Sequence, residues 1–224
     1  MARTAFEPNS PNALIEMPTR PSVGIVDYDA GNLRSLQNAL EAISADVLLV
    51  RDPSKLDRCT HLVLPGVGAF AHCVNGLRES GMAESLTEWA TVRHRPLLGI
   101  CVGMQMLADA GEEHGESPGL GWIPGRVRRL PASPGARVPH VGWNGVHFGR
   151  SCSSLDADYY FDHSFRLCPA DSSDAWGVTS HGESFCAAVR RNSIIGVQFH
   201  PEKSQEAGLR FLRWFLERTA ESPC

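Results

Sequence analysis

Gly99-Ile100-Cys101-Val102-Gly103 sets a cysteine between two glycines, one two residues to either side. Gly-x-Cys-x-Gly has the spacing of a nucleophile elbow, a sharp strand-to-helix turn that lifts the central side chain out of a sheet. Small neighbours are needed there because the backbone passes too close for a Cβ. A thiol so placed would sit at a helix N-terminus, whose dipole and free N–H groups favour the reactive thiolate. The competing reading is a structural cysteine closing a buried strand, which free cysteines commonly are. A cysteine nucleophile also needs a base, and the base needs a group to orient it. His200-Pro201-Glu202 offers both residue types at the end of the apolar run Ile194 to Phe199. Taken alone, it reads more readily as a surface turn. His140, His163 and His181 are the rival histidines, as structural or substrate-adjacent groups.

Acyl chemistry requires donors for a developing oxyanion. Pro65-Gly66-Val67-Gly68 follows the apolar run His61 to Leu64, and its glycines leave room for backbone N–H groups to turn toward a ligand. The N–H groups of Val67 and Val102 are the candidate pair, against the plainer reading of a tight turn. There is no Gly-x-x-x-x-Gly-Lys phosphate loop, and Gly-Val-Gly is too short for a dinucleotide fingerprint. No cofactor is expected.

These groups must be carried by alternating elements. Val23 to Asp27, Val47 to Val50, His61 to Leu64 and Leu97 to Ile100 read as strands. A helix begins at an Asn32 cap, with Leu33, Leu36, Leu40 and Ile43 along one side. Others follow Gly68 and surround Met82, Leu86 and Trp89. The alternation predicts an α/β fold, a doubly wound, mostly parallel open sheet flanked by helices. The second half adds short strands: Arg126 to Leu130 as an edge strand, then, after a loop over Pro131 to Gly135 and the segment Val138 to Asn144, Tyr159 to Leu167, Trp176 to Ser180 and Ser184 to Val189. Gly111 to Gly121 reads as a polar loop, and a last amphipathic helix carries Leu209, Leu212, Phe215 and Leu216. The expected organisation is a disordered tail over 1–21, one domain over 22–219 and a short tail over 220–224.

The whole chain sets outer bounds. Its 224 residues suit one α/β domain. A formal net charge of −4 gives no basic stripe for a nucleic acid. No apolar run approaches the length of a membrane span, and no signal peptide is evident. Seven scattered cysteines without a C-x-x-C pair speak against a disulfide framework or a metal site and for a reducing cytoplasm.

Leu-Pro-Gly-Val-Gly-Ala-Phe at 64–70, Leu-Gly-Ile-Cys-Val-Gly-Met-Gln-Met-Leu at 98–107 and Gly-Val-Gln-Phe-His-Pro-Glu-Lys-Ser at 196–204 resemble the triad-type (class I) glutamine amidotransferases. Asp27-Tyr28 with Gly31-Asn32-Leu33, Pro139 to Asn144, and Tyr159-Tyr160-Phe161 with His163-Ser164 narrow the likeness to the glutaminase subunits of imidazole glycerol phosphate synthases. It runs from about Val23 to Arg218. The resemblance implies a triad of Cys101, His200 and Glu202, with the Val67 and Val102 N–H groups at the oxyanion. It implies a glutamine site formed by Gly66, Gly68, Gln105, Glu113, His163, Ser164 and Phe165. It also implies a heterodimer with a cyclase subunit that takes up ammonia to make imidazole glycerol phosphate and AICAR in histidine biosynthesis. Asn32, Trp143 and Lys203 would meet that partner. The sequence departs from the pattern in its leading tail, in Asp29-Ala30 before Gly31, and in Asp162 where an apolar residue is usual. Alternatives are a paralogous subunit feeding a sugar-modifying enzyme, a stand-alone γ-glutamyl cysteine hydrolase, or a silent binding module.

Overall fold

Apolar runs in the first half become the parallel part of the central sheet. They are β1 (Ser22–Val26), β2 (Asp46–Val50), β3 (His61–Gly66) and β4 (Leu97–Cys101) in this computed structural model, which describes residues 20–219. The expected tail over 1–21 lies almost wholly outside the described residues, and that over 220–224 wholly outside. β3 and β4 are buried at every position, as strands covered on both faces must be. Between the strands run α1 (Leu33–Ala42), α2 (Phe70–Glu79) and α3 (Met82–Thr87), the last continued by a π-helical turn over Glu88–Val92. Asn32 caps α1, its side-chain oxygen accepting from the Ser35 N–H, while Leu36, Ala39 and Leu40 face the core. No helix among the described residues is long and apolar enough to cross a membrane.

β13 (Ile194–Val197) lies parallel to β4, with Val197 opposite Ile100. Parallel neighbours end at the same edge, so this pairing brings the residues after two sequence-distant strands together. Cys101 ends one and His200 follows the other. Beyond β13 the sheet turns antiparallel through β12 (Glu183–Arg191), β11 (Ala175–His181), β8 (His140–Phe148) and β9 (Ala157–His163). The full order is β2-β1-β3-β4-β13-β12-β11-β8-β9. Two helices complete the frame: α4 (Val102–Gln105) leaves the end of β4, and α5 (Gln205–Leu216) buries Phe211, Leu212 and Phe215.

A smaller sheet, ordered β10-β7-β5-β6, holds β5 (Ala110–Gly111), β6 (Ser117–Pro118), β7 (Gly125–Arg129) and β10 (Phe165–Pro169). It corrects three expectations. The arginine-rich strand is not an edge: β7 pairs with β10 on one side and β5 on the other. Its Val127 is buried, while Arg126 and Arg128 pair with the exposed Glu112. The expected loop over 111–121 contributes β5 and β6. The run Tyr159 to Leu167 is two strands, broken at Ser164 where the chain crosses from the large sheet to the small one.

Candidate active site

The elbow is built by contact. A Cβ on Gly103 would stand 1.9 Å from the Leu64 carbonyl oxygen, and one on Gly99 would stand 2.7 Å from the Gly103 oxygen. Both positions therefore require glycine, and α4 packs directly on β3 and β4. Cys101 itself has φ 55° and ψ −112°, a conformation a side-chain-bearing residue holds only when its surroundings impose it. Its side chain ends up buried at the floor of a pocket, at the start of α4.

His200 and Glu202 meet there as expected. The His200 Nδ1 lies 2.8 Å from the Glu202 Oε1, with both side chains almost wholly buried. Burial alone would push the imidazole down. Interaction with the Cys101 sulfur and the Glu202 carboxylate outweighs it and raises the pKa to about 10. The surroundings thus favour the protonated ring. Its backbone is fixed as well: the His200 N–H donates to the Tyr160 carbonyl at 2.8 Å, and the Ser204 hydroxyl donates to the His200 carbonyl.

Gln198 completes the group and was not foreseen. Its Nε2 donates to the Cys101 sulfur at 3.7 Å, and its Oε1 accepts from the Gln105 Nε2 at 3.0 Å. The available signal was an amide two residues before the histidine, in an otherwise apolar run.

On the neighbouring strand, Gly66 pairs in register with Cys101, and a Cβ there would come within 2.7 Å of the Gly103 N. The Tyr28 hydroxyl donates to the Pro65 carbonyl, and the Cys73 thiol donates to that of Val67. The carbonyls on either side of the Gly66–Val67 peptide are thereby held. The pocket, about 270 Å³, is bounded by Val67, Gly68, Val102 and Gln105 near the cysteine. Glu113, His163, Ser164 and Phe165 form its far wall, Lys203 and Pro139 also line it, and the Asp162 carbonyl lies 4.0 Å from the Cys101 sulfur. Glu113 accepts from the Phe70 N–H at the start of α2 (2.8 Å). Gln105 also donates to the Phe165 carbonyl at 2.9 Å, tying the floor to that wall. Every expected substrate residue except Gly66 lines this pocket; Gly66 backs onto the elbow. No cluster of metal-binding side chains occurs among the described residues.

Trp143 is half exposed on β8, its ring edge-on to Tyr160 at 6.1 Å, and Lys203 places its Nζ 5.7 Å from the same tyrosine ring. Asn32 lines a small cleft with Pro65, Gly66, Val67 and Glu202. Tyr160, the hub of the first group, carried no role in the sequence.

A model of the family "Glutamine amidotransferase class-I" matches residues 24–218. The chain belongs to this family, and it is a glutamine amidotransferase. Among curated relatives it is 46% identical to an imidazole glycerol phosphate synthase subunit HisH of Rhodospirillum rubrum, over 86% of this chain and 98% of that protein. It is 45% identical to the HisH subunit of Zymomonas mobilis, over 88% of this chain and 95% of that one. It matches the chloroplastic imidazole glycerol phosphate synthase hisHF of Arabidopsis thaliana at 45% identity, over 87% of this chain and 34% of that protein. A crystal structure of a glutamine amidotransferase shares the fold, with a TM-score of 0.71 at 22% identity, covering 87% and 97% of the two chains.

Proposed function

We propose that the chain is the glutaminase subunit of an imidazole glycerol phosphate synthase, hydrolysing glutamine and passing ammonia to a cyclase subunit in histidine biosynthesis. The carrying observation is the buried row Cys101–His200–Glu202 at the shared edge of β4 and β13. In this reading the Cys101 thiolate attacks the side-chain carbonyl carbon of glutamine. The oxyanion is received by the Val67 and Val102 N–H groups. The tetrahedral intermediate collapses as the His200 imidazolium gives its proton to the departing nitrogen, leaving a glutamyl thioester and ammonia. Neutral His200 then takes a proton from water, the hydroxide attacks the thioester, and glutamate leaves as the thiolate returns. Glu202 holds the ring and balances its charge throughout.

The far wall suits the rest of the substrate. Glu113 can face the α-ammonium, and the backbone of Ser164 and Phe165 can meet the α-carboxylate. The match to the HisH subunits over nearly their whole length supports the synthase assignment, and the much longer hisHF relative fits a chain that works beside a second part. We read Trp143 and Lys203, joined through Tyr160, as the partner face, with Asn32 at a second contact. A cytoplasmic heterodimer follows from this reading.

The test is Cys101→Ala in the assembled complex. Glutamine-dependent synthesis should vanish while synthesis from added ammonia persists, since the acceptor site would belong to the partner. Continued glutamine hydrolysis by Cys101→Ala would end the assignment.

A further inference from the structure

Behind the far wall lies a chain of side chains that the proposed mechanism does not use. His140 stands opposite His163 across β8 and β9, and both are buried. Asn144 donates from its Nδ2 to the Ser180 carbonyl at 2.8 Å and stands 3.2 Å from the His140 Nε2. The His140 Nδ1 lies 3.0 Å from the His163 Nε2, and the His163 Nδ1 lies 2.8 Å from the Phe165 carbonyl.

Every proton in this chain can be assigned from its ends. A carbonyl oxygen only accepts, so the His163 Nδ1 carries a hydrogen toward Phe165. The Ser180 carbonyl likewise fixes the Asn144 amide with its NH₂ inward, so the His140 Nε2 must accept. One hydrogen then remains for the central link, carried on the His140 Nδ1 and accepted by the His163 Nε2. Both rings must be neutral, because a second hydrogen on either would set donor against donor. Burial supports this by lowering His140 to about 4 and His163 to about 3.

The Phe165 carbonyl at the end of the chain receives both His163 and Gln105. Two donors on one oxygen fix the turn at Ser164, the wall proposed to face the substrate's α-carboxylate. We infer that His140 is a positioning residue for glutamine binding, acting through His163 to hold the Ser164–Phe165 wall in place. This rests on the function proposed above for the pocket.

Two substitutions separate hydrogen bonding from packing. His140→Phe keeps a ring between Phe161 and His181, on which His140 stacks, and removes the N–H. His140→Asn keeps a donor near the Nδ1 position and removes the ring. Positioning through the hydrogen bond predicts that His140→Phe raises KM for glutamine about tenfold, the factor given by roughly 1.4 kcal/mol. It predicts that kcat changes far less, and that His140→Asn stays near the wild type. The reverse order, or an unchanged KM in both, overturns the proposal. Imidazole nitrogen NMR shifts of the wild-type chain give a second reading that does not depend on the variants folding. Neutral His140 and His163, both protonated on Nδ1, are expected; a proton on the His140 Nε2 overturns it. A wild-type chain without glutamine hydrolysis would instead remove the proposed function, and the tautomers would still decide whether the chain of hydrogen bonds exists.

Discussion

Glu202 reaches the His200 Nδ1 at 2.8 Å, with both side chains removed from water. A charge-assisted bond of this kind is strong where solvent cannot compete. It fixes which ring nitrogen faces the sulfur and opposes the loss of the ring's proton. Glu202→Gln keeps shape and reach but removes the charge. Turnover should fall on the order of 10²–10⁴-fold, the range set by one acid–base partner and by the neutral replacement of a triad carboxylate. The accompanying signature is a downward shift of the His200 titration from about 10, measurable by NMR. Undiminished turnover would remove Glu202 from the mechanism. Cys101, His200 and Glu202 were legible because each stands at or just past a strand end, with a recognisable spacing. Gln198 was not, because the strand stops at Val197 and a polar residue beyond it has no periodicity to betray its direction.

At the level of elements, the elbow is held by backbone approaching backbone. Gly103→Ala drives a Cβ to 1.9 Å from the Leu64 oxygen, and neither β3 nor α4 can yield without dragging the other. We expect a loss of about 3 kcal/mol or more in chemical denaturation, beyond ordinary overpacking. Gly68→Ala, at φ +95° with nothing within 4 Å of the added carbon, meets only conformational strain, expected at about 1–2 kcal/mol. Equal losses at the two sites would refute the contact account. The parallel half of the fold could be read from the sequence because its strands are short apolar runs that alternate with helices. The small sheet could not: β5 and β6 are two residues each, too short for any pattern, and β7 is covered by neighbours that only tertiary structure supplies. The strand break at Ser164 was hidden for the same reason, since it marks a change of sheet with no strong turn residue.

For the molecule as a whole, buried histidines of opposite sign shape stability against pH. His61, His140 and His163 are lowered by burial to about 4, about 4 and about 3, from an ordinary 6.5. The unfolded chain takes up these protons near pH 6.5 while the folded chain does not, so their contribution is full above 6.5 and lost as pH falls toward about 4. His200 runs the other way: raised to about 10, its contribution is full below 6.5 and lost as pH rises through about 10. Each group can tilt stability by up to about 1.4 kcal/mol per pH unit inside its window. Denaturation midpoints should therefore peak near pH 6.5, and a flat profile between 4 and 6.5 would contradict the burial of these rings. At the same scale, free ammonia is useful only beside its acceptor, so the isolated chain should turn over glutamine slowly. The held carbonyls of Pro65 and Val67 leave the Gly66–Val67 peptide between them as the one that can turn. Recovering one oxyanion donor on docking should raise the rate about 10²–10³-fold. Trp143→Ala should weaken association with the cyclase in calorimetry while leaving the far-UV spectrum unchanged. Full turnover by the chain alone would favour an independent hydrolase.

The backbone hydrogen bond from the His200 N–H to the Tyr160 carbonyl has a consequence for inhibitor chemistry. Tyr160 is at once the backbone support of the base and the ring that Trp143 and Lys203 share. A compound seated on Trp143 and the Tyr160 ring would bear on His200 from the proposed partner face, meeting the pocket proposed for glutamine only at its Lys203 rim. If the proposed partner face is right, it would also block subunit docking by the same act.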